Sequence, residues 1–148
     1  MEINILNLIY NNKIEELQEI SGSFDFNQLI AHDDTPLMAA IRDKNADVVR
    51  ILLENGADSD FPDKAGNLPL HFAVQKKNID MVKLLVSHNA SIDQQDGKFG
   101  NTALSVAIAK TEGREFIDYF LELGADVTIP NKACVTPEAA AKLYNINL

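Results

Sequence analysis

The chain has few of the residues that cross-link or anchor a protein, or that attract polyanions. Its 148 residues include one cysteine, so no disulfide can form within the chain, which favours a reducing compartment. The net charge of −9 argues against binding to nucleic acid, which needs a basic surface. No apolar run approaches the about 20 residues that cross a bilayer, and the first residues do not resemble a secretory signal peptide. We therefore expect a cytoplasmic protein that binds neither nucleic acid nor membrane.

One six-residue phrase occurs four times in the sequence. It reads TPLMAA, LPLHFA, TALSVA and TPEAAA, and it begins at Thr35, Leu68, Thr102 and Thr136. The phrase suits the start of a helix, because a threonine hydroxyl can cap the helix and proline lacks only an N–H that would be unpaired there. Leu68 has no hydroxyl, which removes a cap worth about 1 kcal/mol.

Other features follow the same spacing. An apolar stripe at helical spacing follows the first three phrases, and then comes a pair ending in alanine that begins with Gly56, Asn89 or Gly124. These three residues suit a left-handed conformation just past a helix end. A period near 33 residues with a Thr-Pro-Leu-His-x-Ala phrase is typical of ankyrin repeats. Over about residues 30–145, the chain resembles the ankyrin-repeat family.

The resemblance implies an all-α fold, an ankyrin-repeat solenoid of stacked helix-turn-helix units with β-hairpin fingers. We expect a single domain over residues 1–148. Its parts would be a degenerate N-terminal repeat at 1–27, repeats at about 28–60, 61–93 and 94–128, and a terminal capping helix within 129–148. Ile146 and Leu148 are expected to fold back over the end. The residues expected to be nearly fully buried are Leu52, Leu53, Leu85, Val86, Phe120 and Leu121.

The histidines do not indicate a metal or catalytic site. His71 stands at the phrase position where Met38 and Ser105 stand in other repeats, and the resemblance implies that its ring bonds the backbone. His32 and His88 occupy other positions of the repeat, so we expect no shared metal site.

The acidic residues and the cysteine also have structural interpretations. The grouped carboxylates lie on polar segments, where we expect solvated surface rather than the desolvated pocket that catalytic pairs need; they include Asp58, Asp60, Asp93 and Asp96. Cys134 is expected to be a small buried hydrophobe. We expect no catalytic residues, no cofactor and no metal.

The family resemblance implies a binding groove formed by finger tips and the exposed side of each first helix. The residues expected to contact a partner are His32, Asp34, Arg42, Asp43, Lys64, Asn67, Gln75, Lys76, Lys98, Phe99, Asn101 and Lys110. With Lys132, these positions carry six of the 13 basic residues, which would attract an acidic protein surface. Phe99 has two alternatives: an exposed anchor at a finger tip, or a ring packed against the neighbouring finger near Pro130.

The sequence thus predicts a non-enzymatic protein–protein interaction module, a monomer that captures a partner protein as a regulator, inhibitor or adaptor. A more specific alternative is an immunity-type inhibitor of a toxin or hydrolase. An enzyme or a nucleic-acid binder fits the sequence less well.

Overall fold

The computed structural model describes residues 3–110 and 113–148. Within these ranges the chain forms nine α-helices and a short 3-10 turn at Ala31–Asp33. The helices are α1 (Ile5–Tyr10), α2 (Ile14–Ile20), α3 (Pro36–Arg42), α4 (Ala46–Glu54), α5 (Pro69–Gln75), α6 (Ile79–Ser87), α7 (Ala103–Ala109), α8 (Arg114–Glu122) and α9 (Pro137–Leu143).

The helices form two rows. In the inner row, α1, α3, α5, α7 and α9 each contact the next, and each of the first four also packs on the outer helix that follows it. In the outer row, α2 contacts α4 and α4 contacts α6. Alanines let the inner helices approach closely, because Ala39, Ala40, Ala73 and Ala107 are at most 1% exposed. The expected all-α repeat solenoid is confirmed.

The phrase residues start the inner helices as expected. The hydroxyls of Thr35, Thr102 and Thr136 accept hydrogen bonds from the N–H groups three residues later at 3.1, 3.2 and 3.1 Å. Leu68 precedes α5 without any side-chain cap. The left-handed positions are also confirmed, since φ is 98° at Gly56, 68° at Asn89 and 80° at Gly124.

The core prediction is confirmed for four of its six residues. Leu52, Leu85 and Phe120 are fully buried, and Leu53 is 9% exposed. The prediction was wrong for Val86 and Leu121, which are half-buried. Successive helix residues point about 100° apart, so Val86 and Leu121, each the second residue of its apolar pair, lie at the edge of the buried stripe.

The fingers are tighter than β-hairpins. In the described residues the only bridge of β type joins Ile30 to Asp34. Each of the later three fingers closes through a single backbone bond across its base, from Asp63, Asp96 or Asn131. Too few residues flank each turn to extend this one bond into a ladder.

The C-terminal end is covered only in part. Ile146 is half-buried against the core, as expected, whereas Leu148 remains 42% exposed and does not cover the end. Leu143, at the end of α9, is 77% exposed. No helix in the described parts of the chain is long and apolar enough to cross a membrane.

Candidate partner-binding groove

Four finger tips lie at residues 31–34, 64–67, 98–101 and 132–135. Each contains a left-handed residue two positions before its phrase, with φ of 61° at Asp33, 81° at Gly66, 69° at Gly100 and 61° at Cys134. This conformation lets the chain reverse within four residues, and glycine adopts it most easily. The expectation of a buried Cys134 was wrong: the residue is exposed because it lies at this turn.

Backbone hydrogen bonds join each finger to the next. The N–H of Lys64 donates to the carbonyl of Asp33 at 3.1 Å, that of Gly97 donates to Gly66 at 2.9 Å, and that of Lys132 donates to Phe99 at 2.9 Å. The finger tips therefore form one continuous edge whose parts are held by main-chain bonds. We call this edge, together with the solvent side of the inner helices, the groove face.

Asp34 and Arg42, two predicted binding residues, bond to each other. The Asp34 side chain is nearly fully buried, and its Oδ2 accepts a hydrogen bond from the Arg42 guanidinium. Its Oδ1 accepts from the N–H of Thr35 at 2.9 Å. The Arg42 guanidinium also lies 5.3 Å from the centroid of the Phe72 ring. Asp34 thus joins the first finger to α3, and the Arg42 charge is compensated within the chain.

Asn67 and Asn101 also have structural partners. The backbone N–H and the side-chain amide of Asn67 donate to the two carboxylate oxygens of Asp63 at 2.9 and 2.7 Å. The side-chain oxygen of Asn101 accepts from the Asn131 amide at 3.0 Å. Both asparagines are half-buried. The Asn67 side chain closes its own finger, and that of Asn101 joins the third finger to the fourth.

His71 connects an inner helix to a finger. Its Nε2 lies 2.7 Å from the carbonyl oxygen of Asn101, and the residue is 1% exposed. The expected bond to the backbone is therefore present, and it spans two repeats. Burial lowers the pKa of the imidazole below its usual value of 6.5, although the Asn101 carbonyl and the charges of Asp96 and Asp60 act in the opposite direction. The ring is neutral at pH 7, so Nε2–H donates to the carbonyl.

This burial predicts a pH dependence of stability. Because the pKa of His71 is lower in the folded chain, its contribution is complete above pH 6.5 and decreases as the pH falls below it. The slope for one proton is at most about 1.4 kcal/mol per pH unit. In urea unfolding between pH 7.5 and 5, the free energy of unfolding should fall more steeply with decreasing pH in the wild type than in His71→Gln. If the free energy of unfolding depends on pH equally in both proteins, the imidazole of His71 is not buried and neutral.

Two further basic residues of the fingers bond to neighbouring fingers. The ammonium of Lys64 lies 3.1 Å from both carboxylate oxygens of Asp33. The ammonium of Lys132 donates to the carbonyl oxygens of Gly97 and Lys98. The Lys64 charge is therefore paired with a carboxylate, whereas Lys132 is held by neutral carbonyls and keeps its net charge.

The three remaining lysines of the groove face are exposed. The ammonium of Lys76 lies 5.2 Å from the Phe72 ring centroid, and that of Lys98 lies 5.0 Å from the Phe99 ring centroid. Lys110 follows the end of α7. Contacts with a ring do not neutralise a charge, so the positive potential of the groove face is concentrated from α5 to the last finger.

Phe99 is exposed at the tip of the third finger. The ring is 56% exposed, which excludes the alternative in which it is packed against the neighbouring finger. Its backbone is fixed on both sides: the N–H donates to Asp96 Oδ1 at 2.6 Å, and the carbonyl accepts from the N–H of Lys132. A large apolar side chain is thus presented by a rigid main chain.

The other predicted binding residues, His32, Asp43 and Gln75, are exposed. His32 has a φ of 67° at the first finger tip, and Asp43 directly follows α3. Gln75 is the last residue of α5. The side chains of five of the twelve predicted residues are thus bonded within the chain, namely Asp34, Arg42, Lys64, Asn67 and Asn101.

Sequence reasoning missed two residues that shape this face. Asp33 neutralises the charge of Lys64, and the Phe72 ring lies beneath the cationic groups of both Arg42 and Lys76. A comparison of equivalent positions in the repeats could have indicated both residues. Asp33 stands where two other fingers have glycine, and Phe72 stands where other phrases have alanine or valine.

The grouped carboxylates are bonded rather than simply solvated, which corrects the sequence interpretation. Asp60 accepts bonds from the N–H and hydroxyl of Ser91 at 2.9 and 2.6 Å, and Asp93 accepts from the N–H of Asp126 at 2.9 Å. Each of these carboxylates connects one repeat to the next. No group of three metal-binding side chains occurs in residues 3–110 and 113–148.

Comparison with known proteins agrees with this architecture. The family model described as "Ankyrin repeats (3 copies)" matches residues 5–96. No curated protein matches the chain.

Proposed function

The chain belongs to the ankyrin-repeat family, and from this premise we propose that it is a non-enzymatic module that captures a partner protein on its groove face. Ankyrin repeats are generally protein–protein interaction modules. Capture would let the chain act as a regulator, inhibitor or adaptor, and the proposed unit is the whole of residues 1–148. The exposed single thiol of Cys134 supports a location in the reducing cytoplasm.

The observation that carries this proposal is the exposed Phe99 on bonded fingers. Aromatic side chains at rigid positions bury much apolar area with little loss of conformational freedom, and such anchors dominate many interfaces. The ammonium of Lys98 lies over this ring, that of Lys132 is bonded to carbonyls of the same finger, and Lys76 and Lys110 add positive charge at the ends of α5 and α7. They support a partner whose contacting surface is acidic, since complementary charge accelerates encounter and selects partners.

Phe99→Ala tests this function directly. The variant should weaken partner binding by about 2 kcal/mol, because an interface anchor is lost. Its free energy of unfolding should change by less than about 0.5 kcal/mol, because the ring is exposed. The partner is first isolated by affinity capture from the native host, and its dissociation constant is then measured by calorimetry.

The matched control is Leu123→Ala. Leu123 is 39% exposed just past α8 in the outer row, away from the fingers, and its loss should leave the dissociation constant unchanged. An unaltered constant for Phe99→Ala, or equal losses for both variants, would count against the groove face as the binding surface.

A further inference from the structure

Two exposed apolar residues lie where α9 ends. Leu143 is the last residue of α9 and Tyr144 follows it, and they are 77% and 50% exposed. They stand seven and eight residues after the start of their phrase, as Gln75 and Lys76 do after Leu68. Neither is among the predicted binding residues.

A neighbouring repeat does not cover these two positions. In the three preceding repeats they are occupied by Arg42 and Asp43, Gln75 and Lys76, and Ala109 and Lys110. All six residues are exposed, although a further inner helix contacts each of α3, α5 and α7. The first position also lies near the fingers, since the Arg42 guanidinium bonds to Asp34 of the first finger. Leu143 and Tyr144 therefore belong to the groove face.

The groove face changes from charged to apolar along the stack of repeats. The position directly before each phrase and the position seven residues after its start hold Asp34 with Arg42, Asn67 with Gln75, Asn101 with Ala109, and Val135 with Leu143. An ion pair in the first of these repeats is thus replaced by two apolar side chains in the last. The exposed ring of Phe99 lies one finger away, and the Phe99 carbonyl accepts a bond from the N–H of Lys132 in the fourth finger.

The charge of the groove face also differs between its two halves. The half with the first two fingers carries three aspartates and three strong cations, namely Asp33, Asp34, Asp43, Arg42, Lys64 and Lys76. The half with the last two fingers carries Lys98, Lys110 and Lys132 and no carboxylate at the equivalent positions. Nearby carboxylates do not compensate these lysines, because Asp96 is buried and bonded to its own finger and Glu138 is paired with Lys142. Uncompensated positive charge and exposed apolar side chains therefore occur in the same half.

We propose that this half, which we call the C-terminal patch, holds an acidic segment of the partner that also carries bulky apolar side chains. The patch consists of Lys98, Phe99, Lys110, Lys132, Leu143 and Tyr144. The apolar side chains of the segment contact Phe99, Leu143 and Tyr144, and its carboxylates pair with the lysines. This inference rests on the proposed function, and it specifies the ligand and two further contact residues.

Three synthetic hexapeptides test the chemistry of the ligand: three copies of Glu-Leu, three of Glu-Ser, or three of Lys-Leu. Each is titrated at low salt into the isotope-labelled full chain, and amide chemical shifts are followed by NMR. The Glu-Leu peptide should shift the amides of Phe99, Leu143 and Tyr144. The Glu-Ser peptide should bind at least about fivefold more weakly because it has no apolar side chain to bury. The Lys-Leu peptide should not bind at the patch, and added salt should weaken the binding of Glu-Leu.

Leu143→Gln tests the apolar contact. It should weaken binding of the Glu-Leu peptide by about fivefold, because less apolar area is buried. Gln75 occupies the equivalent position of α5, so the fold accepts glutamine there. The matched control is Leu123→Gln, the same change at a 39% exposed residue beside the outer row, which should leave the affinity unchanged.

Tyr144→Ser and Tyr10→Ser compare the two ends of the groove face. Tyr10 is the last residue of α1, and it is 48% exposed, nearly the same as Tyr144. Only Tyr144→Ser should weaken binding of the Glu-Leu peptide, by about threefold to fivefold. For the charges, Lys110→Gln should weaken it by about threefold, whereas Lys83→Gln on outer helix α6 should not.

Several results would overturn the inference. They are no binding of Glu-Leu, equal affinity for Glu-Leu and Lys-Leu, and an unchanged affinity in Leu143→Gln. Shifts confined to Ile3 and Leu29 would place the ligand in the apolar groove beside α1 instead. A wild-type dimer that Leu143→Gln dissociates in sedimentation would show that a second copy covers the patch.

Failure of the proposed function is distinguishable from failure of this inference. If a captured partner depends on Phe99 but not on Leu143, the groove face binds a partner and only the C-terminal patch is wrong. If the Glu-Leu peptide requires Leu143 and Tyr144 but no captured partner depends on Phe99, the ligand chemistry stands and the interface proposed for the partner fails.

Discussion

Leu85→Ala should lower the free energy of unfolding by about 2–5 kcal/mol, the usual effect of a large-to-small change in a core. Leu85 is fully buried on α6, in the layer between the two helix rows. Removal of its side chain leaves a cavity that helices on both sides cannot close without losing their own contacts. Stacked repeats derive much of their stability from contacts between neighbours, so the loss should reach beyond one repeat.

The same substitution at Leu143 is the control. Leu143 is 77% exposed at the end of α9, so Leu143→Ala should change stability by less than about 0.5 kcal/mol. Urea unfolding followed by circular dichroism measures both variants. If Leu85→Ala unfolds at the same urea concentration as the wild type, or if both variants lose equal stability, α6 does not occupy the core position assigned to it.

The inner helices were the most predictable part of the fold. The hydroxyls of Thr35, Thr102 and Thr136 act on N–H groups only three residues away, so local sequence is sufficient to place them. The left-handed residues that follow the outer helices, such as Gly56, are similarly local. By contrast, the exposure of Cys134 depends on a turn whose equivalent position holds glycine in two of the other three fingers, and the family phrase does not include that position.

The candidate site was less predictable because its contacts join different repeats. Register alone placed Asp34 and Asn101 on the groove face. It did not show that Arg42 bonds to Asp34. Nor did it show that Asn101 bonds to His71 and to Asn131 of the neighbouring finger. The Asp33–Lys64 pair likewise joins residues 31 positions apart. Such pairs follow from the stacking of repeats, which sequence spacing describes only approximately.

Gly66→Ala should destabilise the chain far more than its half-buried loop position indicates. A left-handed φ costs a residue with a Cβ about 1–2 kcal/mol. Gly66 has a φ of 81°, and an added Cβ would also lie 2.9 Å from the Cα of Gly97 in the next finger. Relief of that overlap requires the fingers to separate, which strains or breaks the 2.9 Å bond from the N–H of Gly97 to the Gly66 carbonyl. Overpacking of this kind adds about 1–3 kcal/mol.

Gly124→Ala isolates the contribution of the close approach. Gly124 has a φ of 80°, but an added Cβ there has no atom within 4 Å among the described residues. Both variants therefore have the same backbone strain, and only Gly66→Ala has the clash. In thermal unfolding, Gly66→Ala should be less stable than Gly124→Ala by about 1–3 kcal/mol, the cost of the overpacking. Equal losses would mean that the second and third fingers are not in contact.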